Sequence, residues 1–460
     1  MAAVGAGSSR LGSGLATAGA VAGAGLVAAV AAGAPPDPTP VVGLFAAAGL
    51  LAFAVWRPLA VVALGVLVVP FEGWVPGPAG PSQLVLAAAA FGWVVRWLLS
   101  PPLRLPGHPA LLAFLALVAV NAAGLLFAPE RSVVFGQVFT WGTLLVVAVA
   151  LASAAGQPAI RDVALACAVA GGIAGVRAIV DPQPLTGVVF GGGEVERATA
   201  GLGSPNALGV FFVLVIPLQL VLTILPGPTW QRGLAALCAA LSLVGMTLAV
   251  SRGAFAGLAV ALLLLALWAP FRRIALAAVP VLAAIAIIGN PVSMVDTSDV
   301  VTRLSEVEST AASNPRIALW EATPDMIADH PLFGVGALEF GYYAASYGIL
   351  SSQGTPNHAH SMPLTIAAEL GLLGLAAFLA FVVGVGGALT RAARRAAPEG
   401  RGLAFGLAAG LSGFVVSGMV DYVLGSAPIA AAVFVLSGLG VALALGTPRA
   451  AAPTGMMPGR

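Results

Sequence analysis

Apolar runs about twenty residues long follow one another along almost the whole chain, and no other feature limits its fold so strongly. Each is long enough to carry a helix across the hydrocarbon core, where a helix satisfies its own backbone groups. The runs are 13–33, 41–56, 58–75, 82–100, 108–127, 133–155, 160–180, 205–225, 233–250, 253–269, 273–289, 362–388, 402–422 and 427–446. They predict an all-α integral membrane protein, a polytopic helical bundle of roughly fourteen transmembrane helices. Only 8% of the 460 residues are charged. A soluble domain carries about 25%, so a soluble class is excluded. The run 13–33 is poor in Leu and Ile, follows Arg10 and ends in small residues before Pro35, a pattern that a cleaved leader also shows.

Arginine placement orients the bundle. All 20 basic residues are arginine. With the N-terminus in the cytoplasm, alternating loops leave only Arg131, Arg177, Arg197, Arg252, Arg303 and Arg316 outside. Nearly all carboxylates, among them Asp37, Glu72, Glu130 and Asp181, then face out as well. The same parity makes 290–361 an extracytoplasmic helical loop inserted into a single polytopic membrane domain, 1–460. Between Asn314 and Asp329, Ile317, Leu319, Trp320, Met326 and Ile327 recur in a partly helical rhythm interrupted at Pro324. Pro331 to Gly336 reads as a turn, so this loop is expected to fold. A second outer loop, 181–204, carries Gly191, Gly192, Gly193, Glu194, Glu196 and Arg197 and ends at Pro205 and Asn206.

Chemistry concentrates between Ser313 and Gly374, which holds three of the four histidines. A net charge of +2 offers no footing for nucleic acid. Cys167 and Cys238, inside apolar runs, give neither a disulfide framework nor a metal motif. Arg252 stands at the outer end of a run between Ser251 and Gly253, either snorkelling to the interface or holding an anion. Arg316 is open to a salt bridge with Glu321, and Arg197 to neutralisation by Glu194 and Glu196; three such guanidinium groups, brought together, could clamp phosphate oxygens.

His358 and His360 precede a helix with Pro363 in its first turn. A metal pair, a surface histidine without a role and a general base near neutral pH are the readings open to them, and no further Cys or His completes a metal set. Glu369, inside the next apolar run, reads as support for His360, as a partner of an arginine, or as a structural hydrogen-bond acceptor. Asp421 reads more plainly as structural. Trp320, Tyr342, Tyr343 and Tyr347 could stack on sugar faces or serve as packing and interface anchors.

His360, Ser361, nine residues, Gly371, two residues and Gly374 resemble the signature of the O-antigen ligase family, with Ser361 where Asn is more usual. Similar to that family too are Ser251-Arg252-Gly253, Arg316 followed four residues later by Trp320, the run His330 to Gly336, and Pro205-Asn206, so that the resemblance covers about 197–385. It implies a GT-C-like fold and an inverting, metal-independent glycosyltransferase without a cofactor. The implied donor is a glycan on undecaprenyl diphosphate at the outer face of the bacterial inner membrane, and the acceptor a glycan or lipid. His360 is implied to act as base or acceptor-orienting residue, and Arg252 and Arg316 to hold the diphosphate. A polymerase using the same donor is the alternative within this chemistry. A lipid-linked glycan transporter is the alternative outside it, although no charged series runs through the cytoplasmic half. Extracytoplasmic chemistry without nucleotide sugars needs charge stabilisation on a departing diphosphate and a base for a hydroxyl, which arginines and a histidine supply.

Overall fold

The computed structural model describes residues 39–74, 79–100, 105–180, 189–190, 193–194, 197–273, 276, 315–349 and 356–446. Among these, nine helices are long and apolar enough to cross a membrane. They are α3 (Pro81–Leu99), α4 (Pro109–Ala123, continued by a 3-10 turn to Leu126), α5 (Arg131–Ser153), α6 (Ala159–Val180), α7 (Pro205–Ile224), α8 (Thr229–Ala249), α12 (Met362–Arg395), α13 (Pro398–Gly418) and α14 (Ala427–Leu445). The runs at 41–56, 58–75 and 253–269 form α1 (Thr39–Trp56), α2 (Pro58–Leu67) and α9 (Arg252–Leu265). The last two are short because Pro70 and Pro270, which lack an N–H, tighten the chain into 3-10 turns over Val69–Trp74 and Ala269–Phe271. The expected runs 13–33 and, beyond its first residues, 273–289 lie outside the described residues, as do Arg303, Gly191, Gly192, Glu196 and most of 290–314.

The chain is thus a polytopic helical membrane protein. Large apolar side chains such as Leu98, Leu112, Phe135 and Val383 stay exposed on its helices, as lipid-facing residues do and soluble surfaces rarely do. At the centre stand α7 and α14, the two most buried spans. Phe434 of α14 stacks on Phe114 of α4 at 3.9 Å between ring centroids, and meets Phe381 of α12 and Trp141 of α5 edge-on. Elsewhere small residues let backbones approach, as expected where lipid removes the hydrophobic drive between helices. A Cβ added to Gly257 of α9 would lie 2.5 Å from the Gly413 carbonyl of α13, so those two helices touch through their main chains. Ser417 Oγ bonds the carbonyls of Gly253 and Gly413, both at 3.0 Å, and fixes that seam.

Two ends of the bundle can be told apart. At one, Arg161 joins the connections α5–α6, α7–α8 and α12–α13 through the Pro226 carbonyl at 2.8 Å and Glu399 at 2.5 Å. At the other, the segments 197–204, 249–252, 315–349, 356–361 and 419–426 meet. Two residues on each side, Val189–Phe190 and Gly193–Glu194, pair antiparallel in the α6–α7 connection.

Residues 315–349, the described part of the segment before α12 apart from 356–361, are largely helical. They contain α10 (Pro315–Asp329), α11 (Phe340–Ala344) and a 3-10 turn, Ala345–Tyr347. Leu319, Met326, Val335, Phe340 and Ala344 form a small separate core that closes on Ala359 and on Ala368 of α12.

Candidate functional site

The site is built on a broken helix. An uninterrupted span was expected over 362–388, but Gly371 departs from helical geometry with φ 69° and ψ −176°, a region essentially open to glycine alone. A break inside apolar surroundings strands backbone groups that cost several kcal/mol each, so something must meet them. The run Pro331 to Gly336 does so. Val335 N–H and Gly336 N–H donate to the carbonyls of Ala368 and Glu369, both at 2.9 Å, while Leu372 and Leu373 N–H donate to those of Pro331 and Leu332 at 2.8 and 3.3 Å. A Cβ on Gly371 would sit 2.2 Å from the Leu332 carbonyl oxygen, and one on Gly334 (φ 67°) 2.4 Å from the Glu369 backbone. Two glycine-bearing motifs far apart in sequence are therefore the two halves of one joint, and Met362–Leu370 becomes a short, mostly buried half-helix carrying His360 at its mouth.

His360 lies just ahead of the N-cap Ser361, with φ at 49°. Its backbone N–H donates to Nδ1 of His358 at 3.1 Å, and the two rings meet edge to face at 4.3 Å. Trp320 Nε1–H donates to the Ala359 carbonyl between them at 3.0 Å, and the Ala359 N–H donates to Thr365 Oγ1 at 3.1 Å. The histidine turn is thus tied from both sides.

His360 Nδ1 lies 3.0 Å from Oδ1 of Asp421, in the α13–α14 linker. The carboxylate is fully engaged: the Tyr422 N–H donates to Oδ1 at 2.9 Å and Asn206 Nδ2 to Oδ2 at 2.5 Å. Burial alone would raise the Asp421 pKa, but the bond from His360 and the nearby imidazoles hold it below the ordinary value. An ionised carboxylate on Nδ1 fixes the proton there and leaves Nε2 as the acceptor, the arrangement of a His–carboxylate pair poised for base work.

The chain of contacts continues through Asn206 to Arg197, whose Nη2–H donates to Asn206 Oδ1 at 2.9 Å. Arg197 Nε–H meets the Ala249 carbonyl at the C-terminus of α8 at 3.1 Å, a placement that a cation favours. Burial lowers its pKa, Asp421 opposes this, and the charge of Arg316 adds to it, so the two guanidinium groups share one field. Arg316 Nη1–H donates to the Val420 carbonyl at 3.0 Å. Arg252 opens α9 and is exposed, with no hydrogen bond or ion pair among the described residues. Its neighbour Gly253 packs on Val420, so Arg252 and Arg316 flank the same linker. Arg316 and Arg197 thus each reach a main-chain carbonyl at this end of the bundle, while the side chains of Glu194 and Glu196 lie outside the described residues.

On the other side of His358 a cleft of about 400 Å³ opens between the start of α7, Leu338 and the linker. Burial pushes the His358 pKa down to about 4, helped by His360 and Arg316 against the pull of Asp421, so its ring is neutral there. The non-glycine residues with positive φ among the described residues are Ala200, Val250, Leu338 and His360; Leu338 lines the cleft and His360 stands beside its His358. Strained backbone of that kind gathers at functional sites.

The remaining expected residues sit differently. Glu369, 1% exposed, does not hydrogen-bond His360 or an arginine; its carboxylate accepts from the N–H groups of Leu338 and Phe340 and pins the loop behind the cleft. Trp320 holds the histidine turn through its indole N–H instead of offering a free ring. Tyr343 packs in the small core against His330, while Tyr342 is 61% exposed. His358, His360 and Asp421 are a group of described residues close enough to hold a metal, with ligand atoms within 4.8 Å of one another. Yet both Nδ1 atoms and both Asp421 oxygens already carry hydrogen bonds, so a cation could reach only the Nε2 atoms without dismantling the network.

Helical spans long enough to cross a membrane, with a His–carboxylate pair and arginines gathered at one end, define a polytopic helical membrane protein. Residues 237–379, less than half of the chain, match the O-antigen ligase family, so the resemblance read from the His360 signature holds. The match places the chain's function with membrane glycan ligases and polymerases, which use lipid-linked glycan and an acceptor and are glycosyltransferase-like enzymes. No curated protein matches the sequence. Arg252, Arg316, His360, Gly371 and Gly374 fall inside the matched segment, whereas Arg197, Asn206 and Asp421 fall outside it.

Proposed function

We propose that this chain is an inverting, metal-independent glycosyltransferase of the bacterial inner membrane, with about fourteen spans in a GT-C-like bundle, that moves a glycan from undecaprenyl diphosphate to an acceptor hydroxyl on the extracytoplasmic face. The observation that carries this reading is the bond from His360 to Asp421, with arginines on the same linker. In the reaction, the acceptor oxygen forms a bond to the anomeric carbon as His360 Nε2 takes the hydroxyl proton. The bond from that carbon to the diphosphate breaks, and the diphosphate leaves with the electron pair. Arg252 and Arg316, with Arg197 behind them, offset the charge that develops on the leaving group, work often given to a metal. The arginine bias of the opposite loops supports an extracytoplasmic position for this end.

The test is transfer by the purified, reconstituted protein from undecaprenyl-diphosphate glycan extracted from its host. His360→Ala is expected to lower turnover about 10²- to 10⁴-fold with unchanged thermal stability, and Arg252→Lys to lower it less, through loss of bidentate contact. Wild-type turnover in the His360 variant would remove the base from the mechanism. Products lengthened on the lipid carrier, in place of glycan on a second molecule, would make the enzyme a polymerase.

A further inference from the structure

We infer that the cleft beside His358 is the subsite for the uncharged, hydroxyl-rich sugar end of the acceptor, apart from the arginine-flanked place of the diphosphate. This rests on the glycosyl-transfer reading above. The linker after α13 arranges the parts in order. Val420 takes the Arg316 bond, Asp421 holds His360, and Tyr422, Val423, Gly425 and Ser426 form the cleft wall. Along the linker the cleft wall thus follows the His360 contact, which follows the Arg316 contact.

The lining suits a sugar and not a phosphate. Among the described residues no Asp, Glu or Arg lines the cleft, and burial holds His358 neutral, so these walls offer an anion no countercharge for the water it would lose. Leu338, 38% exposed, offers apolar surface to the C–H face of a ring. Polar groups stand beside it without internal partners. Ser426 is the N-cap of α14 yet makes no side-chain capping bond, and Asn357 is exposed with no side-chain hydrogen bond among the described residues. A Ser at an N-cap that forgoes its usual bond leaves its hydroxyl for another partner. The volume falls within the range of about 300–1,000 Å³ seen for small-ligand sites. The mouth is also held at a cost: Leu338 sits at φ 64°, and a Cβ on Gly425 would lie 2.9 Å from its side chain.

The sugar could instead belong to the donor, so the test varies both substrates. With the reconstituted full chain, extracted undecaprenyl-diphosphate glycan serves as donor and the host cell-envelope fraction as acceptor, each titrated at saturating levels of the other. Ser426→Ala and Asn357→Ala should each raise the half-saturating acceptor roughly 3- to 10-fold, one hydrogen bond's worth, and leave donor saturation unchanged. Ser426→Trp, which fills the cleft, should abolish transfer while donor binding persists, which also shows that the variant is folded. Oxidising the acceptor's vicinal diols with periodate should erase the difference between wild type and Ser426→Ala. A rise in donor half-saturation instead, no change in either, or indifference to periodate overturns the proposal. Absence of transfer by the wild-type protein fails the glycosyltransferase reading itself, and is thereby told apart.

Discussion

Gly371→Ala and Gly387→Ala make the same chemical change in the same helix and should have opposite effects. At Gly371 the added methyl meets the Leu332 carbonyl at 2.2 Å and the Phe333 nitrogen at 2.5 Å, on a backbone of φ 69° that a side chain rarely tolerates. The conformational strain alone costs about 1–3 kcal/mol. If the chain relieves it by undocking 331–336, four backbone hydrogen bonds are lost, each worth about 0.5–1.5 kcal/mol net and more in apolar surroundings. Undocking then costs about 2–6 kcal/mol in place of the strain, enough to detach the turn that carries Leu338 and to loosen the half-helix bearing His360. Gly387 faces open space with nothing within 4 Å of an added Cβ, and there alanine should stabilise the helix by about 0.5–1 kcal/mol. Thermal unfolding in nanodiscs, limited proteolysis between residues 330 and 340, and glycan transfer are the readouts. Gly371→Ala should melt earlier, expose the loop to protease and lose most activity, while Gly387→Ala keeps all three. Equal melting temperatures and equal transfer for the two variants would show that the helix break does not organise the site.

Two further outcomes follow from the histidine network. Asp421→Asn should cut kcat/KM about 10²- to 10⁴-fold, the scale seen when a His–carboxylate pair loses its carboxylate, with donor binding retained; full activity would leave Asp421 a purely structural residue. His358 has its pKa depressed to about 4, so from pH 6.5 downward an unfolded chain takes up its proton and the folded one does not. Stability should therefore fall with pH over that window, by at most about 2 kcal/mol between pH 6.5 and 5, and His358→Gln should flatten this part of a melting-temperature profile. An unchanged slope in that variant refutes the assignment.

Much of the scaffold could be read from hydropathy because a membrane asks one thing of a sequence, and each long described span answers it. Boundaries were less legible where proline acts locally: Pro70 and Pro270 end α2 and α9 well inside their apolar runs. The break at Gly371 was hidden for a different reason. Leu370, Leu372 and Leu373 around it are as apolar as any span, and the partner that satisfies the broken backbone lies some forty residues upstream. Its trace in the sequence was the pair of glycine signatures, which periodicity has no means of joining.

The same limit explains why Glu369 drew attention that Asp421 had more claim to. Both are carboxylates near the outer ends of apolar runs, and burial ranks Glu369 higher, at 1% exposed. Burial, however, measures how far a carboxylate is from water and says nothing of what it faces. Glu369 faces two backbone N–H groups and serves as glue, while Asp421 faces an imidazole and an amide that leads on to Arg197. Asn206 offered the missing signal, since a polar residue directly after Pro205 at the head of an apolar helix has no local role once Ser204 has capped it. A side chain left over by local structure is available to tertiary structure. Here it joins the guanidinium side of the site to the imidazole side, so that Arg197, Asn206, Asp421 and His360 form one continuous chain of hydrogen bonds.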